Sequence, residues 1–265
     1  MRILLAEKSY QYIGKHLKRV INYVKKPSDE VGDCLDISSF KKTTYDDCES
    51  NGFRGIIRQI HRYKKAFGVN WWDIIKGNRI HSTEVIPAGI FDYPIISVDK
   101  IASVKVKTRS GKTIDANIDK ISLDTEEIFP EYFYVLKHKN KQIGYIHTIF
   151  KSNNYVDIEY LTNILGRKKY RNTEKILVQA LVEDCLKRGF IPNLEAKAEN
   201  VGSLMGRGYN NLALYRKMGM HSANPTHPDD VEIDAKEIIP LFEKYLKFNG
   251  EILKGTKERL EQLKR

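Results

Sequence analysis

The chain has 265 residues, 41% of them hydrophobic and 30% charged, which is typical of a soluble globular protein with one large domain or two modest ones. No apolar run approaches the roughly 20 residues of a membrane span, and the N-terminus lacks a secretory signal pattern, so we expect neither a membrane partner nor export. The net charge of +11 and the pI of about 9.3 favour an anionic partner, such as a nucleic acid, an acidic protein or a phosphorylated cofactor.

The first third of the chain carries helical patterns. Between residues 10 and 26, apolar side chains recur at helical spacing opposite lysines and arginines, which predicts a basic amphipathic helix. A polar stretch follows over 27–50, and a second helical pattern runs from 53 to 67 and on to Trp71 and Trp72. We therefore predict a helical N-terminal region over 1–88, and substrate or partner recognition is the role that fits it.

Alternating β-branched residues begin after residue 92 and predict strands joined by short turns. The clearest pair is a hairpin whose turn is His138–Lys141, and a third strand follows it as in a meander. The predicted strands are 95–98, 101–107, 113–118, 132–137, 142–149 and 155–161.

A helix with a strong apolar face then follows a basic loop at 166–173 and is closed by Gly189. Beyond it we predict a short strand at 193–198 and a short helix at 212–218 that Gly219 stops. The tail over 235–265 has the pattern of one or two charged amphipathic helices.

Cysteine and histidine usage shows no disulfide or metal pattern. Three cysteines without CxxC spacing argue against a disulfide framework or a cysteine-based zinc site and favour a reducing, cytoplasmic compartment. His221 and His227, with Asp229 and Asp230 nearby, are interpreted as scattered surface residues, so no metal is predicted.

The basic loop before the central helix is a physically sensible pyrophosphate site, because unpaired N–H groups and the helix dipole both favour an anion there. Arg167, Lys168, Lys169 and Arg171 add side-chain charge. The alternative is a solvated turn, and the loop by itself does not decide between them.

The order hairpin, strand, basic loop, helix, strand, short helix resembles that of the GNAT acyl-CoA N-acyltransferase family. The short helix ends in Leu214-Tyr215-Arg216-Lys217-Met218-Gly219-Met220, which is similar to the family's closing LY-x-K-x-G-F signature. The resemblance covers 132–221, with less clear material back to 92. It implies an α+β fold in which a mixed, mostly antiparallel sheet is flanked by helices. The expected organisation is a helical region over 1–88, a GNAT-like acetyltransferase domain over 92–225 and C-terminal helices over 235–265.

This resemblance implies transfer of an acetyl group from acetyl-CoA to an amine by direct attack. In the family's Q/R-x-x-G-x-G/A loop, the matching residues here are 169–174, so both glycines are replaced and a glutamate lies near the anion. The implied donor-binding residues are Leu161, Thr162, Asn163, Arg167, Lys168, Lys169, Tyr170, Arg171, Asn172, Thr173, Glu174, Lys175, Asn210 and Asn211.

Two catalytic roles need filling, a base for the amine and an acid for the departing thiolate. By resemblance Tyr215 is the acid, and Glu159 lies in the strand where several family members keep a glutamate base. His147 is a rival base, since an imidazole titrates near working pH. Each has a plainer alternative: Tyr215 as core packing, Glu159 as a solvent-facing residue and His147 as a structural histidine.

The competing function is a non-catalytic GNAT fold that serves as a basic nucleic-acid or protein binding module. It would use the basic N-terminal helices and the aromatic pair Trp71 and Trp72. The sequence leaves the acceptor class and the oligomeric state open, and a protein lysine, an N-terminus, a small amine, an aminoglycoside and a tRNA-linked amine all fit.

Overall fold

The computed structural model describes residues 61–69, 95–125, 128–162, 169–197, 215–224 and 226–265. Within these ranges the strands are β1 (Ile95–Lys107), β2 (Thr113–Leu123), β3 (Glu131–His138), β4 (Lys141–Phe150), β5 (Tyr155–Thr162), β6 (Asn193–Lys197), β7 (His221–Asn224) and β8 (His227–Ile233). The helices described are α1 (61–67), α2 (Thr173–Lys187), α3 (Ala235–Asn249) and α4 (Thr256–Leu263), and residues 215–217 form a further helical turn.

All eight strands form one sheet in the order β1-β2-β3-β4-β5-β6-β8-β7. Strands β5 and β6 are parallel, and the other described neighbours are antiparallel. α2 joins the two parallel strands, because a parallel pair needs a crossover. The fold is therefore α+β and GNAT-like, as predicted, with the expected order of hairpin, strand, loop, helix and strand.

The predicted hairpin is confirmed as β3 and β4. Its turn places Lys139 and Asn140 at φ 49° and 60°, in the left-handed region that two-residue hairpin turns use to match the sheet twist. The sequence separated 95–98 from 101–107, whereas the chain forms one long strand there, β1, with irregular register at its start and between Lys100 and Ala102. β1 is one of the two edge strands of the described sheet, and β7 is the other.

One face of the sheet packs on α2, and α3 and α4 cover the far side of that helix. The predicted apolar face of α2, which includes Leu177 and Leu181, is buried in this core. The opposite side is buried as well, since the Gln179 amide donates to the Gly250 carbonyl and Glu183 accepts from two backbone amides after α3. Helix α2 is thus buried between the sheet on one side and α3, α4 and the segment that joins them on the other.

The other face of the sheet packs on α1. Phe67 makes an edge contact with Phe133 at 5.2 Å between ring centroids, in a second cluster that includes Tyr63 and Tyr145. Gly68 ends the helix at φ 67°, and a Cβ there would lie 2.8 Å from the Asn140 carbonyl oxygen. Only glycine fits this close approach to the β3–β4 turn.

The sequence missed one part of the sheet and foresaw the tail. β8 pairs with β6 and β7, so the sheet continues past residue 225 to Ile233. The tail, predicted as one or two helices, forms α3 and α4. Of the helical region predicted over 1–88, residues 61–67 are helical, and the patterns at 10–26, 27–50 and Trp71–Trp72 lie outside the described residues. No helix in the described ranges has the length and apolarity to cross a membrane.

Candidate functional site

Strand β5 extends beyond its pairing with β6. The last pair is Ile158 with Ala196, yet β5 continues to Thr162, which still pairs with Tyr145 of β4. Among the described residues no strand pairs with the β6-facing edge of residues 159–162. We call this opening the β5–β6 notch. Backbone groups along such an edge need hydrogen-bond partners, which an extended ligand can supply.

A β-bulge lies at the start of the notch. His147 is opposite Tyr160 and Thr148 is opposite Ile158, so Glu159 is the extra residue on β5. Because the bulge shifts the alternation by one residue, Ile158 and Leu161 both enter the core under α2, while Tyr160 packs against the α1-side cluster. The simple alternation predicted over 155–161 therefore fails at Glu159.

The Glu159 side chain is exposed at this bulge. Although the residue is exposed as a whole, neighbouring atoms partly desolvate its carboxyl group, and this desolvation raises its pKa. The negative charge of Asp157 adds to the rise. His147 opposes the shift. A carboxylate whose pKa lies above its usual range is a stronger proton acceptor, so the geometry and the charge both suit a general base.

His147 is held in a buried aromatic stack on the neighbouring strand. Its ring is 8% exposed and lies 4.1 Å from Phe133 and 6.0 Å from Tyr160 between centroids, nearly parallel to both. Its Nε2 is 2.8 Å from a Glu131 carboxylate oxygen, and its buried Nδ1 has no hydrogen-bond partner in the described part of the chain. The imidazole is fixed in place and shielded from solvent.

Tyr215 is 1% exposed and starts the described part of the predicted short helix. That helix ends as predicted, with Gly219 at φ 90°. Burial raises the pKa of the phenol, and the charges of Asp157 and Glu159 raise it further. The phenol therefore stays protonated at neutral pH, and a protonated phenol can donate a hydrogen bond.

The basic loop is fastened to the end of the β1–β2 hairpin. The Arg109 amide donates to the Lys169 carbonyl at 2.8 Å, and the Arg171 amide donates to the Lys107 carbonyl at 2.9 Å. Tyr170 forms a β-bridge with Thr108. The Arg171 amide, expected to face a phosphate, is therefore already bonded within the protein.

The first turn of α2 completes this loop. Asn172 has φ 57° and makes no side-chain capping bond, and the Thr173 side chain is buried with its hydroxyl donating to Glu174. Lys175 Nζ lies 5.5 Å from the Phe248 ring and 6.0 Å from the Tyr245 ring, so its side chain is directed toward α3. Any contact from Lys175 to the phosphates would therefore come from its backbone.

The remaining predicted donor residues are distributed as follows. Leu161 is buried in the core, and Thr162 is the last residue of β5. Asn163, Arg167, Lys168, Asn210 and Asn211 lie outside the described residues.

Two groups of residues near the site escaped the sequence analysis. The first is the set of charges around Glu159, in which Lys151 Nζ contacts Asp157 at 2.9 Å and Glu195 at 3.1 Å. The second is the run of cations on the β1–β2 hairpin. The sequence shows four cations across 105–112, which is a signal for such a cluster. It does not show that this hairpin contacts a loop some sixty residues later.

Comparison by sequence finds neither a matching protein-family model nor a matching curated protein. Among solved structures, one similar chain is a proposed streptothricin acetyltransferase from Bacillus anthracis str. Ames in complex with acetyl coenzyme A. It is 19% identical, with a TM-score of 0.28, over 53% of this chain and 88% of that chain. The fold class here rests instead on the strand order and helix placement described above.

Proposed function

We propose that the chain is an acyl-CoA-dependent N-acyltransferase that moves an acetyl group from acetyl-CoA to an amine. The observation that carries this proposal is the β5–β6 notch, which opens at the Glu159 bulge. A pantetheine arm is an extended chain with two amides, so it can hydrogen-bond along a strand edge with which no described strand pairs. Leu161 and Thr162, with Asn163 after them, would line that arm.

The basic loop supports the same orientation of the donor. Lys169 and Arg171 are exposed beside the N-terminus of α2, where an anion is favoured. The phosphates would therefore lie at the loop, the thioester would lie near the bulge, and the acceptor amine would approach from the side of Glu159.

The chemistry is a balanced acyl transfer. The ammonium form of the acceptor loses a proton to Glu159, directly or through water, and the neutral amine nitrogen attacks the thioester carbonyl carbon. The C–S bond then breaks, the CoA thiolate takes a proton from the Tyr215 phenol, and the second proton that leaves the nitrogen returns through water to the Tyr215 oxygen. The raised pKa of that phenol makes full proton transfer uphill, so much of its benefit would come from a hydrogen bond to the developing thiolate.

The structure favours Glu159 over His147 as the base. Glu159 is exposed, whereas both ring faces of His147 are stacked and its Nε2 is bound to Glu131. We assign His147 the role of a positioning residue, which fixes Tyr160 directly after the bulge.

The non-catalytic binding module remains the second candidate. The observation that favours it is the loop itself, in which both family glycines are replaced and the Arg171 amide is bonded to Lys107. A loop of this kind offers fewer backbone donors to a pyrophosphate than a glycine-rich one.

The two candidates differ in a direct experiment. Acetyl-CoA titrated calorimetrically into the protein should bind with a micromolar Kd that weakens with salt. A panel of amines, including a lysine peptide, an aminoglycoside and a polyamine, should then release free CoA thiol and give an acetylated product by mass spectrometry. Absence of heat and of any melting shift at millimolar CoA would reject the enzyme and favour the binding module.

A matched pair of variants tests the base. Glu159→Gln should keep acetyl-CoA affinity and lower turnover by roughly a hundredfold, the range that loss of a general base gives. His147→Gln should change turnover less at its optimum pH. The opposite ranking would transfer the role of base to His147.

A further inference from the structure

The end of the β1–β2 hairpin carries a cluster of exposed cations. Lys107, Arg109 and Lys112 are all exposed, and no acidic residue lies between 105 and 114. The first acid after the turn, Asp115, is paired with Lys105 at 2.9 Å. Within the described ranges, Lys107 and Lys112 form no ion pair.

Hydrogen bonds bring these cations to the basic loop. The Arg109 amide bonds the Lys169 carbonyl, the Arg171 amide bonds the Lys107 carbonyl, and the Arg171 guanidinium donates to the Arg109 carbonyl at 2.9 Å. Two segments about sixty residues apart in sequence thus join as a short antiparallel ladder. We call the result the hairpin–loop surface; it consists of Lys107, Arg109, Lys112, Lys169 and Arg171.

This arrangement has an electrostatic cost in the absence of a ligand. Five like charges on one exposed surface repel one another, and backbone hydrogen bonds hold the two segments together. The one acid in the adjoining helical turn, Glu174, accepts a hydrogen bond from the Thr173 hydroxyl. A surface of this kind is suited to a compact anion of high charge.

We propose that the hairpin–loop surface binds the 3′-phosphate of the CoA donor and makes the protein selective for CoA over dephospho-CoA. This inference rests on the proposed function, because it assigns residues to one end of that donor. The 3′-phosphate is a monoester with close to two negative charges at neutral pH, whereas each phosphate of the pyrophosphate carries about one. It is the group that a cluster of lysines and arginines recognises most strongly.

Because both family glycines are replaced, side chains rather than backbone amides would bind the phosphate. A glycine-rich loop binds phosphate through closely approaching backbone amides, but this loop holds Tyr170, Arg171 and Asn172, and the Arg171 amide is bonded to Lys107. Affinity lost in backbone donors is recovered in charged side chains, two of them from the loop and three from the hairpin. The hairpin lies outside the segment whose residues resemble the GNAT family most clearly.

The test compares two ligands that differ only in the 3′-phosphate. Calorimetric titration of the parent protein should give a Kd for CoA at least about tenfold lower than the Kd for dephospho-CoA, since one charge-assisted contact is worth roughly that factor. Lys107→Gln/Lys112→Gln should raise the Kd for CoA toward the dephospho-CoA value while leaving the Kd for dephospho-CoA within about twofold. The matched control is Lys187→Gln/Lys236→Gln, which removes two exposed charges at the C-terminal end of α2 and the start of α3.

The outcomes separate this inference from the proposed function. Equal affinity of the parent for both ligands would overturn the 3′-phosphate assignment and leave acyl-CoA binding intact. An equal loss of affinity for both ligands in the hairpin variant, matched by the control, would show general charge attraction and also overturn it. Binding of neither ligand to the parent would reject the proposed function. If a single-stranded oligonucleotide then bound the parent and not the hairpin variant, the surface would belong to the binding-module alternative.

Discussion

Two cationic regions of the molecule are organised in opposite ways. Between the sheet and α2, Lys120 Nζ lies 2.7 Å and Arg188 Nε 3.1 Å from one oxygen of Asp184. The Tyr134 hydroxyl donates to the same oxygen, and both cations lie near the Tyr132 ring, at 4.2 and 4.4 Å from its centroid. On the hairpin–loop surface, Lys107 and Lys112 are exposed and form no ion pair within the described residues.

The difference shows how the same residue types divide between structure and function. Around Asp184, a carboxylate, a phenol and aromatic faces satisfy the cations, and the cations in turn hold the pKa of Asp184 low despite its burial. At the hairpin, backbone bonds fix the geometry, and the Lys107 and Lys112 charges, which form no ion pair within the described residues, can act on a ligand. The first group should therefore control stability, and the second should control binding.

The largest effect is expected from Asp184→Asn. The change leaves Lys120 and Arg188 partly buried without their counter-charge, which should cost about 3 kcal/mol or more of unfolding free energy. Chemical denaturation of the variant would measure it. Asp115→Asn, which breaks an exposed pair with Lys105, is the control and should change the unfolding free energy far less, because solvent screens the pair. Similar losses for both variants would remove the distinction between the two regions.

A second effect concerns a buried carboxylate that pairs with no cation in the described ranges. Glu183 accepts hydrogen bonds from the amides of Ile252 and Leu253, yet burial raises its pKa to about 7. Because the folded-state pKa lies above the unfolded one, the protein loses stability as the pH rises from about 4.5 through 7. A shift of this size corresponds to roughly 3 kcal/mol.

Glu183→Gln should remove that dependence. The stability of the variant relative to the parent should increase steadily between pH 5 and pH 8 in urea titrations, whatever constant offset the lost carboxylate bonds introduce. A stability difference that does not change across this range would show that Glu183 keeps one protonation state there. It would also show that its hydrogen bonds to the segment after α3 do not depend on pH.

The sequence predicted the regions in which local patterning and tertiary packing agree. The hairpin of β3 and β4, the apolar face of α2 and the glycine stop at Gly219 follow from alternation, helical spacing and turn chemistry, all of which act over a few residues. The GNAT-like order of elements followed from these local signals. Because these local signals agree with one another, the sequence predicts the fold class.

The parts that the sequence did not reveal depend on contacts distant along the chain. The bulge at Glu159 is visible only in the register against His147 of β4, and β8 is too polar to have shown itself as a strand beside β6. The bonds between Arg109 and Lys169 join segments with no shared pattern. A site built from such contacts needs three-dimensional coordinates.

The third prediction tests whether Tyr215, which is buried in the core, also takes part in the reaction by protonating the thiolate. Tyr215→Phe keeps the ring and its packing, so folding and acetyl-CoA affinity should survive while turnover falls roughly tenfold or more. Steady-state kinetics on an identified acceptor would show it. An unchanged rate would assign thiolate protonation to water, and an unfolded variant would identify Tyr215 as a structural residue.

The smallest expected effect on stability is that of removing charges from the hairpin–loop surface. Lys169→Ala/Arg171→Ala removes two exposed loop charges, so the unfolding free energy without ligand should change by less than about 0.5 kcal/mol. CoA affinity should nevertheless fall, and thermal melting with and without CoA would separate the two quantities. A large drop in the ligand-free melting temperature would make the loop part of the structural network.

Hydrogen exchange with and without CoA tests the central claim most directly, because it locates the ligand on the chain. Saturating CoA should slow amide exchange in residues 159–162 of β5 and in the loop at 169–175, and should leave α4 at its ligand-free rate. Protection confined to other segments, with the β5 amides exchanging as before, would contradict the assignment of the β5–β6 notch as the donor site.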